Sequence, residues 1–266
     1  MLAGLACSNR DNHTTEATKS PCQSIANRDH GILRSRLHVR SACSLVMDVI
    51  FKGRNDRNLL ALTIDDFPSS GKNHSAEGSM ALLDLLNDLQ VPATFFCIGE
   101  RIKDHPGLAA RAAENGHELG NHMMRDQWSL FLPREEFMEQ LDFTTEAIRK
   151  DLESNGIPCK PLRWFRPSGG WPTPQMTVWA EARGYRTVLG SIWPFDGIPI
   201  PLLTPKARLE LQEQFVEHFA HPGGIIVMHD TSESNPLTRE TLATVVPRLR
   251  SKGYTFVTLG DLLVSM

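Results

Sequence analysis

The sequence predicts an α/β fold: a distorted (β/α)7 barrel, slightly smaller than the eight-fold kind, with parallel strands inside and helices outside. Three observations predict it. From Leu59 onward, short apolar β-prone runs alternate strictly with helix-like runs over about 200 residues. The helix-like runs carry their own start and stop signals. Chemically reactive residues recur where the strand-like runs end, the end at which parallel α/β folds bind ligands. A doubly wound open sheet is the structural alternative, but no Gly-x-Gly-x-x-Gly follows the first strand.

The elements follow in order. Residues 1–45 are polar and low in apolar periodicity, and read as a flexible N-terminal extension before a domain spanning 46–266. Ser44 to Phe51 is apolar enough for a short strand or helix packed on that domain. Asn55 to Asn58 reads as a turn. Strands are expected at Leu59–Ile64, Ala93–Ile98, His117–Asn121, Arg163–Arg166, Arg186–Ile192, Gly224–Met228 and Thr255–Leu259.

Ser75 can cap the first helix, whose stripe is Leu82, Leu83, Leu86 and Leu89. The second runs near Pro106 to Asn115 and stops at Gly116. The third follows Pro133, with Glu135 and Glu136 in its first turn, Phe137, Leu141, Ile148 and Leu152 on one face, and Gly156 beyond its end. Thr173-Pro174 and Thr204-Pro205 open the fourth and fifth, each a cap residue followed by proline at the first helical position. The sixth runs from Leu237 to Arg250, before Gly253.

Composition narrows the function classes. Of 266 residues, 41% are hydrophobic and 22% charged, as in ordinary globular chains. A net charge of −3 makes no electrostatic case for nucleic acid or an anionic membrane. No run reaches transmembrane length, and Met1 to Cys7 is too short for a signal peptide. Cys7, Cys22, Cys43, Cys97 and Cys159 form no Cys-x-x-Cys pair, and Cys97 reads as a buried free thiol. Asn12-His13-Thr14 and Asn73-His74-Ser75 match the glycosylation sequon, a short pattern that arises often by chance.

Five of the seven strand ends carry acid, base or metal-ligand chemistry. They are Asp65-Asp66; His122 with Asp126 beyond it; Arg166 to Trp171; Trp193 to Asp196; and His229-Asp230. Neighbouring side chains of an extended segment leave on opposite sides, so Asp65 and Asp66 can serve different purposes. His122 and Asp126 are four apart and share a face if that stretch is one helical turn. With one carboxylate from the first loop they make an N/O/O donor set with open positions, which suits zinc and also manganese, iron or cobalt. Alternatively, Asp126 pairs with nearby Arg125 or a lysine on a loop. His117 reads as structural. His74 reads as a loop residue.

On these motifs the chain, from about Leu59 to Met266, resembles the polysaccharide deacetylase family (NodB-homology domain, carbohydrate esterase family four). Thr63-Ile64-Asp65-Asp66-Phe67-Pro68 parallels Thr-Phe-Asp-Asp-Gly-Pro. Gly116 to Asp126 parallels a Gly-His-Glu-Ile-Gly stretch followed by His-Ser/Thr-x-x-His. Phe165 to Gly170 parallels Phe-Arg-Pro-Pro-Tyr-Gly, and Val227-Met228-His229 parallels Leu-x-His. Asp196 matches the second acid of Asp-x-x-Asp-Trp.

The resemblance implies metal-dependent removal of N-acetyl groups from an amino-sugar glycan, chitin-like in class. Asp65 would be the general base, Arg166 would keep it ionised, and His229 would be the general acid tuned by Asp196. Asp66, His122 and Asp126 would hold a divalent cation: zinc, or alternatively cobalt or manganese. Apart from the resemblance, Gly169 would meet the sugar in a widened cleft, and Trp171 or Trp193 could form an apolar wall for a sugar ring or else be ordinary core or rim packing; the backbone of 168–170 could supply an oxyanion N–H. The substrate class implies a secreted or wall-facing protein, although no signal peptide is evident.

The chain departs from the family pattern at five places. Asp126 stands for a histidine, Phe67 for a glycine and is expected to crowd the mouth, Gly169 for an aromatic, Trp193 for the first acid of the fourth motif and Gly197 for its tryptophan. Two other functions are compatible with the residues: an amidohydrolase of this fold acting on a small non-sugar amide, and a catalytically silent glycan-binding module.

Overall fold

A computed structural model describes residues 47–69, 75–197, 200, 202–232 and 234–263. The extension at 1–45, Cys7, Cys22, Cys43, both sequon asparagines and His74 lie outside the described residues.

The strands are β1 (Val49–Ile50), β2 (Leu59–Phe67), β3 (Thr94–Cys97), β4 (Glu118–Asn121), β5 (Trp164–Phe165), β6 (Arg186–Val188), β7 (Gly224–His229) and β8 (Thr255–Val257). The helices are α1 (Glu77–Asp88), α2 (Gly99–Asp104), α3 (Leu108–Glu114), α4 (Arg134–Ser154), α5 (Pro174–Glu181), α6 (Pro205–Phe219), α7 (Asn235–Ser251) and α8 (Leu259–Leu263). All pairings are parallel, in the order β1-β6-β5-β4-β3-β2-β7. The sheet curls until Ile192, beyond β6, bridges Ile226 of β7. The expected strand Arg186–Ile192 is thus split, with its last residue closing the barrel. β8 shares the edge of β2 that β3 uses farther along, pairing Leu59–Ala61.

Strand alternation divides the core in two. Leu60, Leu62, Ile64, Phe95, Cys97, Ile226 and Met228 face outward and pack with Leu82, Leu83 and Leu86 of α1 and Val245 and Leu249 of α7. Ala61, Phe96, Trp164, Val188 and Ile225 face the lumen, which Leu259, Leu262 and Leu263 of α8 help to fill. α8 sits at the N-terminal ends of the strands: Leu259 N–H donates to Thr94 Oγ1 at 3.0 Å and Gly260 N–H to Glu118 Oε2 at 2.9 Å. The opposite end is left for the site.

The expected caps form at Thr173, which accepts from Met176 N–H, and at Thr204, which accepts from Ala207 N–H. Gly116 and Gly156 take left-handed φ of 81° and 75° where their helices stop. Ser75 does not cap α1; its hydroxyl accepts from Glu77 N–H at 3.3 Å, one residue outside the N-cap Ala76. Two short helices, α2 and α8, are additions to the sequence expectation. Among the described residues no helix is long and apolar enough to cross a membrane.

Candidate active site

The site is built from the last inward-facing positions of the strands. On β2 these are Thr63 and Asp65. His122 follows β4, Arg166 follows β5, and His229 ends β7. β2 and β7 run in register from Leu60↔Gly224 to Asp65↔His229, so Asp65 and His229 are direct cross-strand neighbours.

Arg166 spans the lumen. Its Nη1 donates to Asp65 Oδ1 at 2.6 Å and to Thr63 Oγ1 at 2.8 Å. Its Nε donates to Val188 O at 3.1 Å and its Nη2 to Leu189 O at 2.9 Å, and its plane lies over the Phe96 ring. A buried guanidinium satisfied this fully has one available orientation. Burial works against ionising Asp65, but the Arg166 charge, with His122 and His229 nearby, holds its carboxyl below the ordinary 3.8.

His229 Nδ1 lies 2.9 Å from Asp196 Oδ1, and Asp196 Oδ2 accepts the His229 N–H at 2.6 Å and the Thr238 hydroxyl at 3.1 Å. Burial disfavours the imidazolium, yet Asp196, then Asp65 and Asp66, lift its pKa from 6.5 to about 10. Two charged pairs of opposite polarity therefore stand side by side. One carboxylate is held ionised, and one histidine is held protonated with Nε2 free of the Asp196 contact.

The adjacent acids do not simply alternate. Between Ile64 and Phe67 the register with β3 shifts by one residue, and Asp66 adopts φ 63°. Asp is among the residue types that tolerate this region. The bulge brings both carboxylates toward His122: Nε2 is 3.6 Å from Asp66 Oδ1 and 4.0 Å from Asp65 Oδ2. It also turns Phe67 outward. Instead of crowding the mouth, Phe67 is fully buried, with its ring centroid 4.6 Å from that of Phe95.

His122 Nδ1 lies 2.8 Å from the Arg166 carbonyl oxygen, which only accepts, so Nδ1 carries a proton. In the neutral ring the Nε2 lone pair then faces two buried carboxylates. Such an arrangement calls for a cation between them, and a second bond fixing the ring is what a metal-ligating histidine has. Asp66 and His122 therefore fit a divalent cation. Burial raises the Asp66 pKa above its ordinary value, with Asp126 and Asp65 adding to the effect.

Asp126 does not join them as the sequence spacing suggested. The stretch after His122 forms bends rather than a helical turn. Its carboxylate is about half exposed and held by Arg101 of α2, with Nη2 to Oδ2 at 2.6 Å. Among the described residues no group of three His, Cys, Asp or Glu that could hold a metal ion is gathered.

At the rim, Trp171 and Trp193 are exposed, the latter with its ring centroid 4.9 Å from that of Phe195 and the two rings tilted by 42°. Gly169 has φ 86°, and a side chain there would begin 3.4 Å from the Trp128 ring. Trp128, itself 62% exposed, thus borders the space left by the missing aromatic. Its loop is fixed by Ser129, whose N–H and hydroxyl both donate to Ser168 O. Gly170 N–H is engaged with Pro167 O at 2.9 Å, so of the three N–H groups in that turn it is not an oxyanion donor. A Cβ at Gly197 would lie 2.9 Å from His229 Nδ1; glycine there lets the loop close on the imidazole. His117 is structural, as expected: its Nδ1 accepts from Ala93 N–H, and burial lowers its pKa to about 4.

Sequence reasoning missed Arg101, Trp128, Thr63, Thr238 and the part played by Asp230. Asp230 is fully buried and accepts from Ser69 N–H at 3.1 Å, Ser79 Oγ at 2.6 Å and Asn235 Nδ2. Its own N–H donates to Asp65 O at 2.9 Å. It ties the turn after the paired acids to α1 and α7. Asp230→Ala strands three donors and is expected to cost on the order of 3 kcal/mol in a denaturant melt. A loss below about 0.5 kcal/mol would show the network to be dispensable.

The family profile described as polysaccharide deacetylase matches residues 52–188. A peptidoglycan-N-acetylglucosamine deacetylase of Bacillus cereus is 30% identical over 212 residues, 79% of this chain and 90% of that protein. A carbohydrate esterase family 4 pseudoenzyme from Bacillus anthracis superposes with a TM-score of 0.67 at 25% identity, covering 82% of this chain and 69% of that one. A family 4 acetyl xylan esterase from Clostridium thermocellum, in complex with a cobalt ion, superposes with a TM-score of 0.63 at 28% identity, over 77% of this chain and 89% of that one.

Proposed function

Because the chain belongs to the polysaccharide deacetylase family, we propose that it hydrolyses the acetamide of an N-acetylated amino sugar within a chitin-like or peptidoglycan-like glycan. One observation carries this reading. Asp65, held ionised by Arg166, and His229, held protonated by Asp196, occupy adjacent, in-register strands at the open end of the barrel.

Amide hydrolysis needs a deprotonated water, a stabilised oxyanion and a protonated leaving nitrogen. Asp65 accepts the proton of the attacking water at Oδ2, since Oδ1 is held by Arg166. As the carbon–nitrogen bond breaks, His229 donates a proton from Nε2 to the departing amine, so that acetate and the free amino sugar leave. Asp196 holds Nδ1 and so directs the transferable proton to the other ring nitrogen. A divalent cation at Asp66 and His122 would, when bound, lower the pKa of that water and polarise the acetyl carbonyl; zinc suits the donors, with cobalt or manganese as alternatives. Ser168 and Gly169 are the remaining N–H groups for the oxyanion. Trp171, Trp193 and Trp128 offer apolar faces to a sugar ring.

The withdrawal of Asp126 onto Arg101, together with the likeness to a pseudoenzyme, favours a second reading: a glycan-binding module without turnover. An amidohydrolase acting on a small non-sugar amide would use the same proton-transfer groups. One assay separates the three. Acetate release is measured with added zinc, cobalt or manganese on N-acetylglucosamine oligomers, acetylated glycans and small amides. The deacetylase reading expects release from glycans alone, abolished by chelation and by Asp66→Ala. Binding without release on every substrate points to the silent module.

A further inference from the structure

The loop after His122 is docked on α2 by four contacts. Gly99 N–H and Glu100 N–H donate to the carbonyls of Met123 and Met124, both at 3.0 Å. Glu100 accepts from Arg125 Nε at 2.9 Å, and Arg101 donates to Asp126. The Arg101 guanidinium also reaches the Asp66 backbone: Nη1 donates to Asp66 O at 2.7 Å. Its side chain is only 14% exposed, and one group thereby joins two of the three residues expected to hold a cation.

The charges are informative. A histidine at 126 would add no charge to the donor set. Asp126 adds −1, and Arg101 supplies +1 beside it, so the two together restore neutrality. The same contact occupies the carboxylate with a charge-assisted hydrogen bond and sets a fixed positive charge next to any incoming dication.

We infer that Arg101 is a built-in competitor for the third metal ligand. It keeps Asp126 off the cation, so that this chain binds a divalent metal through Asp66 and His122 and more weakly than a three-ligand set would. The inference rests on the metal-dependent reading above, and it makes metal affinity adjustable at a residue that touches neither substrate nor metal.

The test is calorimetric titration of the full chain, freed of metal, with zinc chloride. It uses the wild type, Asp66→Ala, Arg101→Gln, Asp126→Asn and the Arg101→Gln/Asp126→Asn double variant, each checked for folding by circular dichroism. Arg101→Gln is expected to tighten zinc at least tenfold, because Asp126 is then free to ligate. Asp126→Asn alone is expected to change affinity less than threefold, and the double variant to lose the gain. Tightening in Arg101→Gln that persists in the double variant would come from removing the Arg101 charge alone, and it overturns the inference. If Arg101→Gln and Asp126→Asn both weaken zinc, Asp126 is already a ligand that Arg101 merely orients, and the inference is wrong. Should Arg101→Gln fail to fold, Arg101→Lys supplies the check: it loses the two-pronged bridge, and unchanged or weaker zinc binding overturns the inference. Zinc binding that is absent from the wild type and every variant overturns the metal reading along with it. Binding abolished by Asp66→Ala, with no tightening in Arg101→Gln, overturns the inference alone.

Discussion

Asp65→Asn is expected to lower kcat for acetate release by about a thousandfold, the usual contribution of a positioned general base. The substitution keeps the shape of the side chain and an oxygen for Arg166 Nη1, so the lumen stays packed. It removes the negative charge that accepts the proton of water. KM for the glycan should stay within about threefold, because Asp65 is assigned to the proton and not to the sugar. The control is Arg166→Met, which leaves Asp65 buried without its cation. In that variant the carboxyl pKa rises, because desolvation is no longer opposed by its strongest partner, and the fold is expected to weaken by about 3 kcal/mol or more. Steady-state kinetics and thermal melts of the two variants check the assignment. If Asp65→Asn retains more than a tenth of wild-type turnover, Asp65 is not the base.

The second large effect is on the pH profile. A general acid must be protonated to act, so activity is present below its pKa and lost above it. With His229 held at about 10, the alkaline limb of kcat should lie well above the 6.5 of an ordinary histidine. A cation bound at Asp66 would counter part of that rise, so the comparison belongs between variants carrying the same metal. Asp196→Asn removes the anion that most strongly retains the proton, while burial continues to expel it. The limb is therefore expected to move down by about 2 pH units or more. The acid limb, set by Asp65 below 3.8, should not move. An alkaline limb that stays in place in Asp196→Asn would falsify the pairing of Asp196 with the catalytic acid.

Much of this arrangement is legible in the chain, for a physical reason. Parallel strands bury both faces and end at one rim, so a reactive residue directly after an apolar run is placed by the fold itself. Asp65, His122, Arg166 and His229 are legible in that way. What escaped depends on single-residue geometry or on long-range partners. The bulge at Asp66 inserts one residue, reverses the expected facing of Phe67 and brings both acids to one side. No alternation rule signals it. Arg101 and Asp126 are 25 residues apart and meet only because a six-residue helix docks on the loop after β4. Runs as short as α2 and α8 show too little periodicity to be read as helices. Asp230 looks like a turn acid beside His229, and only burial reveals the three donors that it accepts.

The register of β2 with β7 has a consequence for how this protein can diversify. The residues assigned to take up and deliver the two protons are fastened to each other by the backbone ladder, whereas everything assigned to the sugar sits on connecting loops. Loop insertions, deletions and aromatic exchanges can therefore remodel glycan choice while the spacing between acid and base stays constant. A one-residue slip of either strand would instead turn that strand's own group away from the lumen and separate acid from base. Substrate preference and proton chemistry in this chain are thus separately heritable traits, written on different parts of the backbone.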